Sequence, residues 1–350
     1  MEIVAEIGTG HGGRIDSVRR ILDEVAEASF DCAKFQWVIA SEIIHPKAGL
    51  VPLPGGPTPL YERFHALEQA PDFYHVVKRE TEARGLRFLC TPFGAQSLEG
   101  LLALGVDRIK IASPELVHTP LLQAVSACGI SVIASTGVST LADIDEANRC
   151  LKSSDLTFLH CVTSYPAPES DYNMRSLPIR GSATGRPWGV SDHSLDPLAV
   201  PMVSWAVGAV MLEKHVTLSH QGTGLDDPVA LEPSQFRQMI KELRALDGEA
   251  NRMDAVTDRL GAERVERILG DQVIRLAESE TENYGRTNRS IHAIRDLSAG
   301  DALDENTMAV LRTEKELRPG IHPRFFDILH RKRVTRMVPD GAGIVWDDLF

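Results

Sequence analysis

The sequence predicts an eight-stranded (β/α) barrel followed by a smaller C-terminal domain, on three observations. Seven segments, EIVAEIG, CAKFQW, RFLCTPF, RIKIASPE, VIASTG, FLHCVTSYP and MLEKH, are short apolar runs that end in polar or ionisable side chains. Helical stretches separate them, and a repeated strand and helix builds a parallel sheet whose strand C-termini collect on one face. The 350 residues exceed one ordinary domain but suit a barrel of about 250 residues with an appendage.

In chain order, strands are expected near 2–8, 31–37, 86–92, 107–113, 130–136, 156–162, 187–191 and 209–215. In the first intervening helix Ile15, Val18, Leu22 and Val25 share one face of a 3.6-residue period. Gly85, Gly105, Gly129 and Gly208 each precede an apolar run, where a left-handed glycine would close a helix and turn the chain into the next strand. Residues 38 to 70, rich in Pro and Gly and without a sustained period, predict a long loop on the strand C-terminal side, a lid or substrate wall. Residues 222 to 233 carry Asp226 and Asp227 and should face the same end. The barrel is expected over 1–247. A charged stretch at 248–285 predicts an exposed helix and linker, and 286–350 a small domain of short strands. In that domain DLSAGDALDENTM and MVPDGAGIVWDDL share a pattern, which predicts internal pseudo-symmetry; its roughly 65 residues bury little surface.

Hydrophobic residues at 43% and charged residues at 25% are ordinary for a globular chain with a large core. A formal charge of −12 argues against nucleic-acid or anionic-membrane partners, so an anionic ligand would need a local basic pocket. Five cysteines without a CxxC pair, and an N-terminus without a basic region or long apolar core, predict neither a disulfide framework nor a secreted precursor. No apolar run approaches the roughly 20 residues of a membrane span, so a cytoplasmic location is expected. GxxxxGK[ST] and GxSxG are absent from the sequence.

The expected strand ends gather Glu6, Lys34, Gln36, Thr91, Lys110, Ser113, Glu115, Ser135, Thr163, Tyr165, Ser191, His193 and His215. His193 and His215 end neighbouring strands, which are spaced by roughly 5 Å, so both imidazoles could meet on one divalent ion with positions left open. The competing reading is two histidines held by local hydrogen bonds. Two imidazoles without a complete protein cage suit Mn, Zn, Fe or Co better than Ca. Lys34, Lys110, Ser113, Ser135 and Ser191 could converge on a phosphate or carboxylate, with backbone amides of the Ser135-Thr136-Gly137 turn. Glu6 and Glu115 read either as general base or hydroxyl acceptor, or as structural ion-pair partners of Lys34 or Lys110. Lys214 alternates to the opposite side of its strand, toward the helices.

Taken together, AEIGTGHGG, AKFQ, FLCTPF, IKIASPE, ASTGVST, LHCVTSYPAP, GVSDHS, LEKHVTL and GLDDPVALEP, in this order, resemble the sialic acid synthase family, which includes legionaminate and pseudaminate synthases and the spore coat polysaccharide biosynthesis protein E group. NRSIHAIRDLSAGDAL, LRPGIHP and IVWDDL resemble the antifreeze-like (SAF) domain that follows the barrel there. The resemblance implies a metal-dependent condensation of phosphoenolpyruvate with an N-acyl hexosamine to a nine-carbon 2-keto acid and phosphate. It implies Mn2+, with Mg2+ or Co2+ as alternatives, on His193 and His215. Glu115 would be a base near the attacking water. Lys34, Lys110, Ser113, Ser135, Thr163 and Ser191 would surround phosphoenolpyruvate. Gln36, Tyr165 and Asp226 would contact the sugar, and Glu6 would lie near its hydroxyls. It further implies a domain-swapped homodimer in which Arg318 completes the pocket of the other chain.

The sequence departs from the family pattern at Gly10, where Asn is usual, at Thr163, where Asn is common, at Pro114, where Gly is usual, and in the pair Asp226-Asp227. Two further readings therefore stand beside the synthase: a sugar-binding barrel with a decayed site, and another phosphate-binding aldolase with a Schiff base on Lys110.

Overall fold

A computed structural model describes residues 1–53, 56–222 and 224–350, without the side chains of residues 52 and 53. The barrel strands are β1 Glu2–Gly8, β2 Cys32–Gln36, β3 Arg87–Thr91, β4 Arg108–Ile111, β5 Ser131–Ser135, β6 Leu156–Cys161, β7 Trp188–Asp192 and β8 Met211–His215. They form one parallel sheet in the order β3-β2-β1-β8-β7-β6-β5-β4, with β3 and β4 facing each other across the seam, so the barrel is nearly closed.

Strand alternation layers the interior. Val4, Cys32, Leu89, Ile133, Leu159 and Met211 form one apolar plug. Two residues further along the same strands stand Glu6, Lys34, Thr91, Ser135, Cys161 and Glu213, all buried. Two further still come Gly8, Gln36, Thr163 and His215. A dry plug below and a polar layer above fix the functional end at the strand C-termini. The other side chains of the strands pack on the helices. In Ile15–Glu27, Val18, Ile21, Leu22 and Val25 are buried, so Ile21 joins the expected stripe and Ile15 lies at its half-buried margin.

Two expectations need correction. Residues 38 to 70 are not a plain loop: a helix at Ala40–Ile43, a hairpin of Leu50–Leu53 with Gly56–Pro59 and a helix at Leu60–His65 pack a core of their own around Ile43, Val51, Leu60, Phe64 and Phe93. Segments this short hold too few residues for a visible period. Pro54 and Gly55, at the hairpin tip, lie outside the described residues. The stretch 248–285 is also not an exposed helix: helices Arg252–Leu260 and Ala262–Leu269 bury Val256, Val265, Ile268 and Leu269 in the main core. Their charges occupy the outer face only, which composition alone does not separate.

The C-terminal domain pairs β9 Arg289–Ala293 with β10 Met308–Arg312, antiparallel, over a core that includes Ile291, Leu297, Leu303, Val310, Val338 and Ile344. Its two halves repeat: Leu297 and Val338 exchange backbone hydrogen bonds, and Gly300 and Gly341 both turn at positive φ. Side chains of Thr307 and Asp348 accept from the amides of Asp304 and Val345. The domain sits over its own barrel. Arg289 bonds Glu115, Asp340 pairs with His45 and Lys47, and Arg324 pairs with Glu146.

Among the described residues no helix is long and apolar enough to cross a membrane. All five cysteines are free thiols, as the sequence leads one to expect.

Candidate active site

The cavity over the strand C-termini measures about 440 Å³. Its floor is an ionic lattice. Glu213 Oε1 accepts from Lys34 Nζ at 3.2 Å, Lys110 Nζ at 3.1 Å and Ser191 Oγ at 2.9 Å. Lys34 Nζ also lies 2.9 Å from Glu6 Oε2, and Gln36 Nε2 donates to Glu6 Oε1 at 2.8 Å. Burial alone would raise the Glu213 carboxyl, but Lys110 and Lys34 outweigh it and hold it ionised. Burial would lower Lys34, and Glu213 and Glu6 reverse that. Lys110 stays below its ordinary value because burial exceeds the pull of Glu213. Glu6 is raised, by burial first, against Lys34. Two ammonium groups are thus fixed beneath the cavity, while Ser135 Oγ and Glu213 Oε2 are buried without a hydrogen-bond partner among the described residues. Orphaned polar atoms on a cavity floor mark where a ligand's own groups belong.

Opposite the lysines, His193 Nδ1 meets the carbonyl oxygen of Val162 at 2.8 Å, and Tyr165 OH lies 3.1 Å from His193 Nε2. Tyr165 stacks on His193 at 4.1 Å between centroids, and His215 lies 5.3 Å from His193. With Nδ1–H donated to the carbonyl, Nε2 carries the lone pair that a ligand or metal can use. Burial lowers both histidines, and His193 further lowers His215, so both are neutral as metal binding requires. Asp226 Oδ2 is 3.7 Å from His215 Nδ1, and burial followed by Glu6 pushes its carboxyl up to about 6. Among the described residues no three His, Cys, Asp or Glu side chains group to hold an ion. The pair His193 and His215 fits a metal completed by water and substrate oxygens.

The cavity brings together Glu6, Lys34, Gln36, Lys110, Ser113, Ser135, Thr163, Tyr165, Ser191, His193, His215 and Asp226. Three expected residues stand apart. Thr91 belongs to the polar layer, but its buried hydroxyl has no hydrogen-bond partner among the described residues and does not line the cavity. Glu115 is turned behind the wall by the tight turn Ser113–Val117, and its Oε1 receives Arg289 Nε at 3.0 Å, Arg289 Nη2 at 2.8 Å and Arg312 Nη2 at 3.0 Å. It is therefore an interdomain anchor here; the ion pair expected with Lys34 or Lys110 is made instead by Glu213 and Glu6. Arg318 is not in the cavity of its own chain: its guanidinium bonds Asp348 Oδ2 at 2.7 Å and the Gly343 carbonyl at 3.0 Å. The same chain's Arg312, Glu314 and Lys315 line the roof instead.

Glu213 escaped sequence reasoning although the signal was present, since alternation from His215 in MLEKH places it inward while Lys214 turns out to Asp192 at 2.6 Å. Nothing short of the fold signals Arg312, Glu314 and Lys315. The 38 to 70 segment does form a wall, with Val51, Leu60 and Phe64.

The model of the NeuB family matches residues 21–253, and that of the SAF domain matches residues 288–349. The chain belongs to the NeuB family. The resemblance to sialic acid synthases therefore holds across the barrel and the appended domain. The chain is similar to the spore coat polysaccharide biosynthesis protein SpsE of Bacillus subtilis, at 30% identity over 99% of this chain and 93% of that protein. The crystal structure of that protein superposes with a TM-score of 0.85 at 29% identity, over 100% of this chain and 95% of the other. An N,N'-diacetyllegionaminic acid synthase of Legionella pneumophila is 26% identical over 99% of this chain and 94% of its own length. An N-acetylneuraminic acid synthetase of Leptospira borgpetersenii, in a crystal structure with citrate, matches at TM-score 0.63 and 28% identity over 80% of this chain and 89% of the other.

Proposed function

We propose that this NeuB-family chain condenses phosphoenolpyruvate with an N-acyl hexosamine, releasing phosphate and a nine-carbon 2-keto sugar acid. The observation that carries the reading is the joining of two buried ammonium groups, Lys34 and Lys110, and a Ser135 hydroxyl without a hydrogen-bond partner among the described residues in one cavity with the His193 and His215 pair. Legionaminate, sialate and pseudaminate synthases among the relatives support it.

In this reading Lys34, Lys110, Ser113, Ser135, Thr163 and Ser191 bind the carboxylate and phosphate of phosphoenolpyruvate, and Glu213 keeps both lysines charged and aimed. Gln36, Tyr165 and Asp226 face the sugar, and Glu6, tied to Gln36 and Lys34, limits how far either can move. His193 and His215 would hold a divalent ion, Mn2+ first and Mg2+ or Co2+ otherwise, which polarises the aldehyde oxygen of the open-chain sugar when bound. C3 of phosphoenolpyruvate bonds to the aldehyde carbon, whose oxygen takes up a proton. Water adds at C2, and loss of phosphate by C–O cleavage leaves the 2-keto group. The apolar wall of Val51, Leu60 and Phe64 and the roof of Arg312, Glu314 and Lys315 exclude bulk water during these steps. A cytoplasmic homodimer is our expectation for the assembly, although one chain already closes its own cavity.

The test is phosphate release from phosphoenolpyruvate with Mn2+ and a panel of N-acyl hexosamines, phosphorylated and not, with His193→Ala as control. Release that needs one acceptor and is lost in the variant is expected. Turnover by His193→Ala without metal, or borohydride trapping of pyruvate on Lys110, overturns the reading.

A further inference from the structure

Residues 277 to 288, which lead from the barrel to the C-terminal domain, lie across the loops that follow β5 and β6. Glu280, only 3% exposed, turns its carboxylate inward: Oε1 accepts the N–H of Val138 at 2.7 Å and the N–H of Thr163 at 2.6 Å. Asn288 Nδ2 donates to the Val138 carbonyl at 2.8 Å. Both polar groups of one peptide residue are thus held by the same strap. That residue is unusual, because Val138 is β-branched yet sits at φ 43°, in the left-handed region. A β-branched side chain is strained there and persists only where its surroundings over-determine it.

The consequence reaches the cavity. Gly137 N–H, one residue before the strained position, donates to Ser113 Oγ at 3.0 Å, which leaves the Ser113 hydroxyl proton to be donated elsewhere. A Cβ at Gly137 would lie 1.9 Å from Thr163 Oγ1, 2.9 Å from Ser113 Oγ and 3.1 Å from Glu280 Oε1, so the three groups close around one point. Ser113, Ser135 and Thr163 are the hydroxyls of the anion rim, and their loops are pinned from behind by Glu280.

We infer that Glu280 is a positioning residue for anion binding: through Val138 and Thr163 it holds the loops after β5 and β6 in the strained arrangement that aims Ser113, Ser135 and Thr163 at the phosphate of the substrate. The inference rests on the proposed function for the identity of that substrate, but the anion site itself can be tested without it.

The experiment measures dissociation constants for inorganic phosphate and for phosphoenolpyruvate, with thermal unfolding of every variant, on the full chain. Glu280→Ala should weaken both anions by about 10-fold or more, the scale on which supporting partners act on a site. Glu280→Gln, whose amide oxygen can still accept both N–H groups, should stay within about 3-fold of the parent, because both hydrogen bonds that hold the loops are kept and only the charge of their acceptor is lost. Val138→Gly in the Glu280→Ala background should restore part of the affinity, since glycine holds φ 43° without strain. A folded Glu280→Ala chain with unchanged affinities shows a merely structural residue and overturns the inference, as does a parent chain that binds neither anion. Phosphate binding that responds to Glu280 without phosphate release from phosphoenolpyruvate overturns only the proposed reaction.

Discussion

Replacing Arg289 by Met should unseat the C-terminal domain from the barrel. The guanidinium is fully buried and uses all three nitrogens: Nε and Nη2 on Glu115, Nη1 on the carbonyls of Glu42, Ile43 and Val310, and Nη2 also on that of Phe93. Loops after β2, β3 and β4 are thereby tied to β9. Breaking one partner of a buried pair costs about 3–5 kcal/mol. Because Glu115 keeps Arg312 at 3.0 Å, the lower end, about 3 kcal/mol, is expected. That is a large share of a typical stability of about 5–15 kcal/mol. Glu115→Gln should cost at least as much, since it leaves Arg289 and Arg312 as adjacent cations. Urea unfolding followed by tryptophan fluorescence reads both, with Trp346 reporting the C-terminal domain and Trp37, Trp188 and Trp205 the barrel. In Arg289→Met the single transition should split as the domain opens first. The double variant should show a coupling of about 2 kcal/mol against the single ones. A loss below about 1 kcal/mol, or additive single effects, would refute the anchor and return Glu115 to the catalytic role that the resemblance implies.

Glu213→Gln should destabilise the chain by about 3 kcal/mol, since Lys110 then has no ion partner among the described residues, while Lys34 keeps Glu6. Adding Lys110→Met should recover part of that loss in thermal unfolding, and no recovery would show that the lattice is not the cause. Stability should fall between pH 6.5 and 4.5, because burial holds His160 to about 3 and His11 and His292 to about 4, whereas the unfolded chain takes up protons near 6.5. Folded values lie below unfolded ones, so the contribution is complete above pH 6.5 and lost as pH falls, by about 2 kcal/mol per histidine at pH 4.5; equal urea midpoints at pH 7 and 4.5 would contradict it.

The barrel was legible because each strand pairs its period with a repeated strand and helix unit, and the same alternation placed Lys34, Ser135, Ser191 and His215 on the inner face. Glu213 shows the limit of reading strand ends alone. It lies one layer below His215, and only counting back by two reveals that the two lysines converge on it. Glu115 fails for a different reason. Its sequence neighbours place it at a strand end, but which way it faces is decided by Arg289 and Arg312, which are 174 and 197 residues away in the chain. The same holds for Glu280, which reads as one charge in an acidic run and becomes the acceptor for two amides only when residues 277 to 288 cross the barrel mouth. Local periodicity encodes the layers of the barrel. The closure of its mouth is encoded in single long-range pairs, each of which looks like an ordinary surface charge until the C-terminal domain is in place.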